Sequence, residues 1–168
     1  MGSSACGAPS LTRNIPPLSE FLLAAVGRMG RGPEAALFGR YRERLQPPIR
    51  LLEIADARGT PAEKRKREAA ALLAALPRGP FVVALDAAGS MHDSETFAAL
   101  LSRWMGAGRP LAFVIGGADG LDARLLDRAD HLLSLGRMTW PHMLARVLLA
   151  EQLYRARSIA AGHPYHRP

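Results

Sequence analysis

The sequence predicts an α/β domain with a mainly parallel sheet covered by helices on both faces. Three observations carry this. Apolar runs of strand length recur along the chain, segments with helical signals separate them, and the runs at 21–26, 81–85 and 111–115 are apolar throughout rather than alternating, as in strands buried on both faces. Residues 1–20 (MGSSACGAPSLTRNIPPLSE) show no periodicity and are rich in Ser, Gly, Ala and Pro, so they read as a disordered leader ahead of a domain spanning 21–168.

Phe21 to Val26 (FLLAAV), closed by Gly27, is the first strand. Pro33 to Leu45 suits a helix, with Pro33 in its first turn and Pro47-Pro48 stopping it. Ile49 to Ile54 is a second strand. Thr60-Pro61-Ala62-Glu63 opens the next helix as a capping box, which continues to Leu76. Phe81 to Leu85 (FVVAL) is a third strand, followed by a helix from Ser94, read as its cap, to Met105. Leu111 to Ile115 (LAFVI) is a fourth strand, Leu121 to Ala129 a short helix and His131 to Leu135 a weaker fifth strand. A last helix occupies Pro141 to about Ala161, with Gly162 as its stop. Its apolar residues point almost all round: Met143, Val147 and Tyr154 on one side, Leu149 and Leu153 opposite. That pattern fits either a subunit interface or a central helix of a monomer.

With 168 residues, 48% of them hydrophobic, the chain is long enough for one well-buried core and excludes disorder, collagen and coiled coil. Lys and Arg number 22 against 15 Asp and Glu, a surplus that favours an anionic partner, nucleic acid first. The single cysteine, Cys6, excludes an internal disulfide and a Cys-cluster metal site, and fits a reducing compartment. No apolar run reaches the roughly 18 residues of a membrane span. A cytoplasmic location is therefore expected.

Four features can carry chemistry. Gly116-Gly117 follow the fourth strand directly, and strand ends are where α/β sheets bind ligands, although a plain tight turn explains them equally. Leu133 to His142 (LSLGRMTWPH) offers a glycine and an apolar rim of Met138 and Trp140 for a flat heteroaromatic ring; a Trp capping the core is the alternative. The ending Gly162 to Pro168 (GHPYHRP) packs aromatic and basic groups suited to RNA bases and phosphates, and its histidines lack the companions of a metal site. Lys64-Arg65-Lys66-Arg67, with Arg40, Arg42 and Arg44, is either a phosphate-contacting surface or a solvated face. Glu151 and Arg155, four apart, form an ordinary helix ion pair unless one faces a site. Neither a nucleophile elbow nor a P-loop nor a paired-carboxylate motif is present.

The strand followed by Gly116-Gly117, the Thr-Trp-Pro-His loop, Leu85-Asp86-xx-Gly89 and above all the ending LAEQLYRA…GHPYHR (149–167) occur together and in order. In this the chain resembles the RlmH family, the ribosomal large-subunit pseudouridine N3-methyltransferases of the SPOUT superfamily, from Phe21 to Pro168. The resemblance implies a SPOUT-type α/β knot, a deep trefoil knot in the C-terminal part, and a homodimer. It implies S-adenosylmethionine as methyl donor with no metal, and a pseudouridine in helix 69 of 23S rRNA as target, on assembled ribosomes. Carried over position by position, the donor would contact Leu85, Gly116, Gly117, Gly136, Arg137, Met138, Thr139, Trp140 and Pro141. Arg155, Tyr165, His166 and Arg167 would meet the RNA, with Arg155, His166 and Arg167 at the chemistry. Ser90-Met91 departs from the family, which often has a charged residue after the glycine. Fold and charge alone also allow a non-catalytic rRNA- or ribosome-binding module, and the superfamily includes methyltransferases for other RNAs.

Overall fold

The computed structural model describes residues 20–165. Strands and helices alternate: β1 (Phe21–Val26), α1 (Pro33–Arg44), β2 (Ile49–Ile54), α2 (Pro61–Ala75), β3 (Phe81–Ser90), α3 (Ser94–Met105), β4 (Leu111–Ile115), α4 (Ala123–Arg128), β5 (His131–Leu133) and α5 (His142–Ala160). The five strands form one sheet in the order β2-β1-β4-β3-β5, and every neighbouring pair is parallel. The predicted α/β class therefore holds, along with the expectation of a sheet buried on both faces.

The two-residue period of the pleat explains the two cores. Phe21, Leu23 and Ala25 of β1, with Leu111, Phe113 and Ile115 of β4, face α1, α3 and α5 and pack on Phe38, Leu101, Leu149 and Leu153. Ala24 and Val26, with Val82, Ala84 and Val114, face the other way onto Leu72 of α2 and Leu125 of α4. The central strands β1 and β4 are apolar and buried at every position because both of their sides are covered.

Several boundaries differ from the sequence reading. The capping box at Thr60 forms as expected, its Glu63 carboxylate accepting from the Thr60 N–H. Asp93, not Ser94, caps α3: its carboxylate accepts from Thr96 N–H at 2.7 Å, a stronger charge-assisted bond than a serine offers. Asp122 likewise caps α4, which starts two residues later than expected. β5 ends at Leu133 because the next residues turn away to form a loop. β3 runs past Leu85 to Ser90, and both Leu85 and Ser90 register with Leu133, so residues 86–89 bulge out of the ladder. Between its partners α1 and α3, α5 buries Ala145, Leu149, Ala150, Leu153 and Ala156 within one chain. Much of its all-round apolarity is thus spent inside the subunit, while Leu144 remains outside.

Candidate functional site

At the carboxyl ends of β3, β4 and β5 the loops part to leave a cavity of about 520 Å3. Such a volume and position are those of a small-molecule site in an α/β sheet. Leu85 forms one wall, Gly116 and Gly117 another, and Gly136, Met138, Thr139, Trp140 and Pro141 a third. Arg137, from the same loop, is exposed and not among the wall residues. Asp86 and His142, which also line the cavity, lay in motifs read from the sequence without being assigned a role, and Leu121 and Ala145 were not singled out at all. Met138 is 71% exposed and Trp140 39%, so the rim presents large apolar surface to whatever occupies or covers the site.

The glycines are required by the chain itself as much as by a ligand. A Cβ on Gly116 would lie 2.8 Å from the Gly120 backbone, and one on Gly117 would lie 3.1 Å from Val26 Cγ1 and 3.2 Å from Glu68 Oε2. Their missing side chains leave room for neighbouring protein, and their backbone faces the cavity. Gly89 is tighter still: a Cβ there would sit 2.7–2.8 Å from the backbone of Leu132 and Leu133. Here the bulge of β3 crosses directly against β5, and backbone cannot step aside. Ser134, buried just beyond β5, accepts from Gly136 N–H at 3.2 Å, and its Oγ lies 3.0 Å from Gly136 O and 3.3 Å from Ala87 O. One hydroxyl thus clips the two loops on either side of the cavity.

Helix α2 braces the glycine loop from behind. Lys64 Nζ donates to Asp119 Oδ2 at 2.8 Å, and the carboxylate holds the ammonium's pKa above its usual value. One turn on, buried Glu68 accepts from Ala57 N–H at 3.0 Å. The basic run is therefore divided. Lys64 is structural, Arg67 donates to Arg58 O, and the rest of the surplus stands elsewhere on the helix.

The predicted RNA-facing group lies apart from this cavity. Arg155 Nη2 donates to Glu151 Oε1 at 2.5 Å, and Tyr165 Oη lies 3.2 Å from the same oxygen. The Arg155 guanidinium stacks 5.0 Å over the Tyr165 ring, which meets Tyr154 edge to face at 4.7 Å. Burial, then the Tyr41 hydroxyl and the Glu151 charge, push the Tyr165 phenol well above its ordinary pKa. The hydrogen bond that Arg155 donates to Glu151 likewise raises the Arg155 pKa. Ten residues separate Arg155 from Ala145, the last α5 residue on the cavity wall, about 15 Å along the helix. His166 and Arg167 lie outside the described residues. Within one chain, then, the structure groups the residues expected to hold the donor, Arg137 excepted, and groups Arg155 with Tyr165, but does not bring the two sets together.

Among the described residues no helix is long and apolar enough to cross a membrane. The family model described as "Predicted SPOUT methyltransferase" matches residues 20–166. The chain is 61% identical to Ribosomal RNA large subunit methyltransferase H of Gluconacetobacter diazotrophicus over 145 residues, which cover 86% of this chain and 95% of that one. It is 53% identical to the protein of the same name from Acidiphilium cryptum over 151 residues, 90% of this chain and 96% of the relative. Against that of Paramagnetospirillum magneticum it is 54% identical over 149 residues, 88% and 98% of the two chains.

Proposed function

Because the chain belongs to the RlmH family of SPOUT methyltransferases, we propose that it methylates N3 of a pseudouridine in helix 69 of 23S rRNA. It does so in the cytoplasm, as a homodimer acting on assembled ribosomes, with S-adenosylmethionine as donor. The observation that carries this reading is the 520 Å3 cavity at the strand ends, walled by backbone and rimmed by Trp140 and Met138. Its size, its apolar walls at Leu85, Leu133 and Leu135, and its glycine-loop backbone suit an adenine nucleoside with a charged tail. The C-terminal part would form the deep trefoil knot of the superfamily.

When bound, S-adenosylmethionine supplies an electrophilic sulfonium methyl group. Leu85, Met138 and Trp140 would pack against its adenine, while the backbone of Gly116, Gly117 and Gly136, with Thr139 and Pro141, would fix its orientation. Arg137 stands at the solvent side of this wall as a contact for the donor's polar end. The target N3 carries a proton near neutrality and must release it as the methyl group arrives. His166 or a bound water accepts that proton, and Arg155 and Arg167 stabilise the negative charge that develops on the base. Tyr165 stacks on the RNA. The rest of the catalysis is positioning.

The separation of about 15 Å along α5 gives the dimer its reason. A second α5 packed antiparallel on the uncovered Leu144 side would place the partner's Arg155 and tail beside this subunit's cavity. Isothermal calorimetry with S-adenosylmethionine, followed by nucleoside mass spectrometry of ribosomes treated with the protein, tests the reading. Donor binding in the micromolar range and a new methylpseudouridine in helix 69 are expected. No donor binding would instead indicate a binding module, and methylation elsewhere another target.

A further inference from the structure

Between β1 and α1 the chain runs Gly27-Arg28-Met29-Gly30-Arg31-Gly32, and this turn is held with unusual care. Arg146, on α5 and 0% exposed, donates through Nη2 to the carbonyls of Val26 and Gly27, the latter at 2.9 Å. Its Nη1 donates to Glu53 Oε1 at 3.3 Å, and that same oxygen accepts from Met29 N–H at 2.7 Å. Gly27 N–H in turn donates to Ile54 O at 2.7 Å. Met29 packs inward on the core, so the two arginines flanking it are left outside. Both are exposed, and among the described residues neither makes a hydrogen bond or ion pair. The turn also borders the cavity: a Cβ on Gly27 would lie 3.2 Å from Nε2 of His142, a wall residue.

Burying a whole guanidinium is costly unless its hydrogen bonds are met; both terminal nitrogens of Arg146 are met, while its Nε has no partner among the described residues. Here it shapes one loop whose outward groups are two unpaired cations beside the site. Flexible surface arginines need no such anchorage, whereas gripping a phosphate at a fixed distance from a reacting base does. Resting on the reading that the protein methylates large-subunit rRNA, we propose that Arg28 and Arg31 clamp phosphodiesters of the substrate strand as it enters the site. Arg146 and Glu53 are the positioning residues for that loop.

The test compares wild type with Arg28→Ala/Arg31→Ala and with Arg78→Ala/Arg103→Ala, two equally exposed arginines at the opposite, amino end of the sheet. The probe is the assembled ribosome, titrated at several salt concentrations, with methylation kinetics and donor calorimetry alongside. Loss of two phosphate contacts is expected to weaken RNA binding on the order of 30-fold near 0.1 M salt and to lower the salt slope by about 2. KM for ribosomes should rise with kcat largely kept, donor affinity should stay unchanged, and the control pair should behave as wild type. RNA affinity and salt slope equal to wild type in Arg28→Ala/Arg31→Ala, or an equal loss in the control pair, would overturn the proposal. A wild-type protein that binds donor but leaves helix 69 unmethylated would overturn the underlying reading instead, and the clamp with it.

Discussion

The two ends of α5 hold two differently made regions. At its amino end the cavity is built largely from backbone: glycines pressed against neighbouring chain, loops clipped by Ser134, and a wall braced by Lys64 and Glu68. At its carboxyl end, Glu151, Arg155, Tyr154 and Tyr165 form a group made almost wholly of side chains. The first region needs the whole fold to exist. The second is carried by one helix and a chain end, with Tyr41 of α1 packed beside them. On the proposed reading, the fold shapes a donor site within each subunit, while the reactive side chains are carried on a segment that would serve a neighbouring copy.

Cutting the chain after Gly162 breaks this comparison most severely. Donor affinity, read by calorimetry, should be unchanged, while methyl transfer to ribosomes should fall by at least roughly 100-fold, the scale of losing positioned acid-base and charge-stabilising groups. Equal loss of both would show the tail to be part of the cavity. Next in size is Arg146→Met. It leaves the Val26 and Gly27 carbonyls without their donor, so denaturant unfolding should report a loss of about 3 kcal/mol. A change under about 0.5 kcal/mol would mean that the anchorage is incidental. Trp140→Ala should weaken donor binding roughly tenfold with little change in stability, since the ring is already 39% exposed. An unfolding midpoint that moves with the affinity would make Trp140 a core residue.

The smallest expected effect is a dependence on pH. His131 is pulled below its usual 6.5, chiefly by burial and then by His92, whose Nε2 lies 3.3 Å from its own. The folded state therefore resists taking up a proton that the unfolded chain accepts readily. Stability should be fully present above about pH 6.5 and decline as pH falls through that value and toward the lower folded pKa. His131→Asn should flatten that part of a stability–pH curve, and an unchanged slope would locate its source elsewhere.

Apolar runs and caps made the strands and helices legible because both signals are local. The errors fell where the sequence offers two equal local choices or where a distant partner decides. Ser94 and Asp93 are equally good caps on paper, and only the folded loop selects Asp93. The extension of β3 to Ser90 depends on Leu133, more than forty residues away. In the site, Gly116, Gly117 and Trp140 were visible as residue types. Space for a ligand accounts for the glycines only in part, because Val26 and Glu68 occupy the room Gly117 yields. Ser134 and the Arg146–Glu53 anchor gave no signal at all: a serine in a loop and an arginine in a helix are unremarkable until their acceptors are known.

The central claim, that one subunit's cavity works with another's tail, is tested most directly by mixing two inactive variants. Protein truncated after Gly162 keeps the cavity, and Gly116→Val, whose side chain collides with the Gly120 backbone, keeps the tail. Co-expressed and purified as mixed dimers, the pair should recover methylation approaching one working site per dimer, while each variant alone stays silent. Mixed dimers that remain as inactive as their parents would contradict the account.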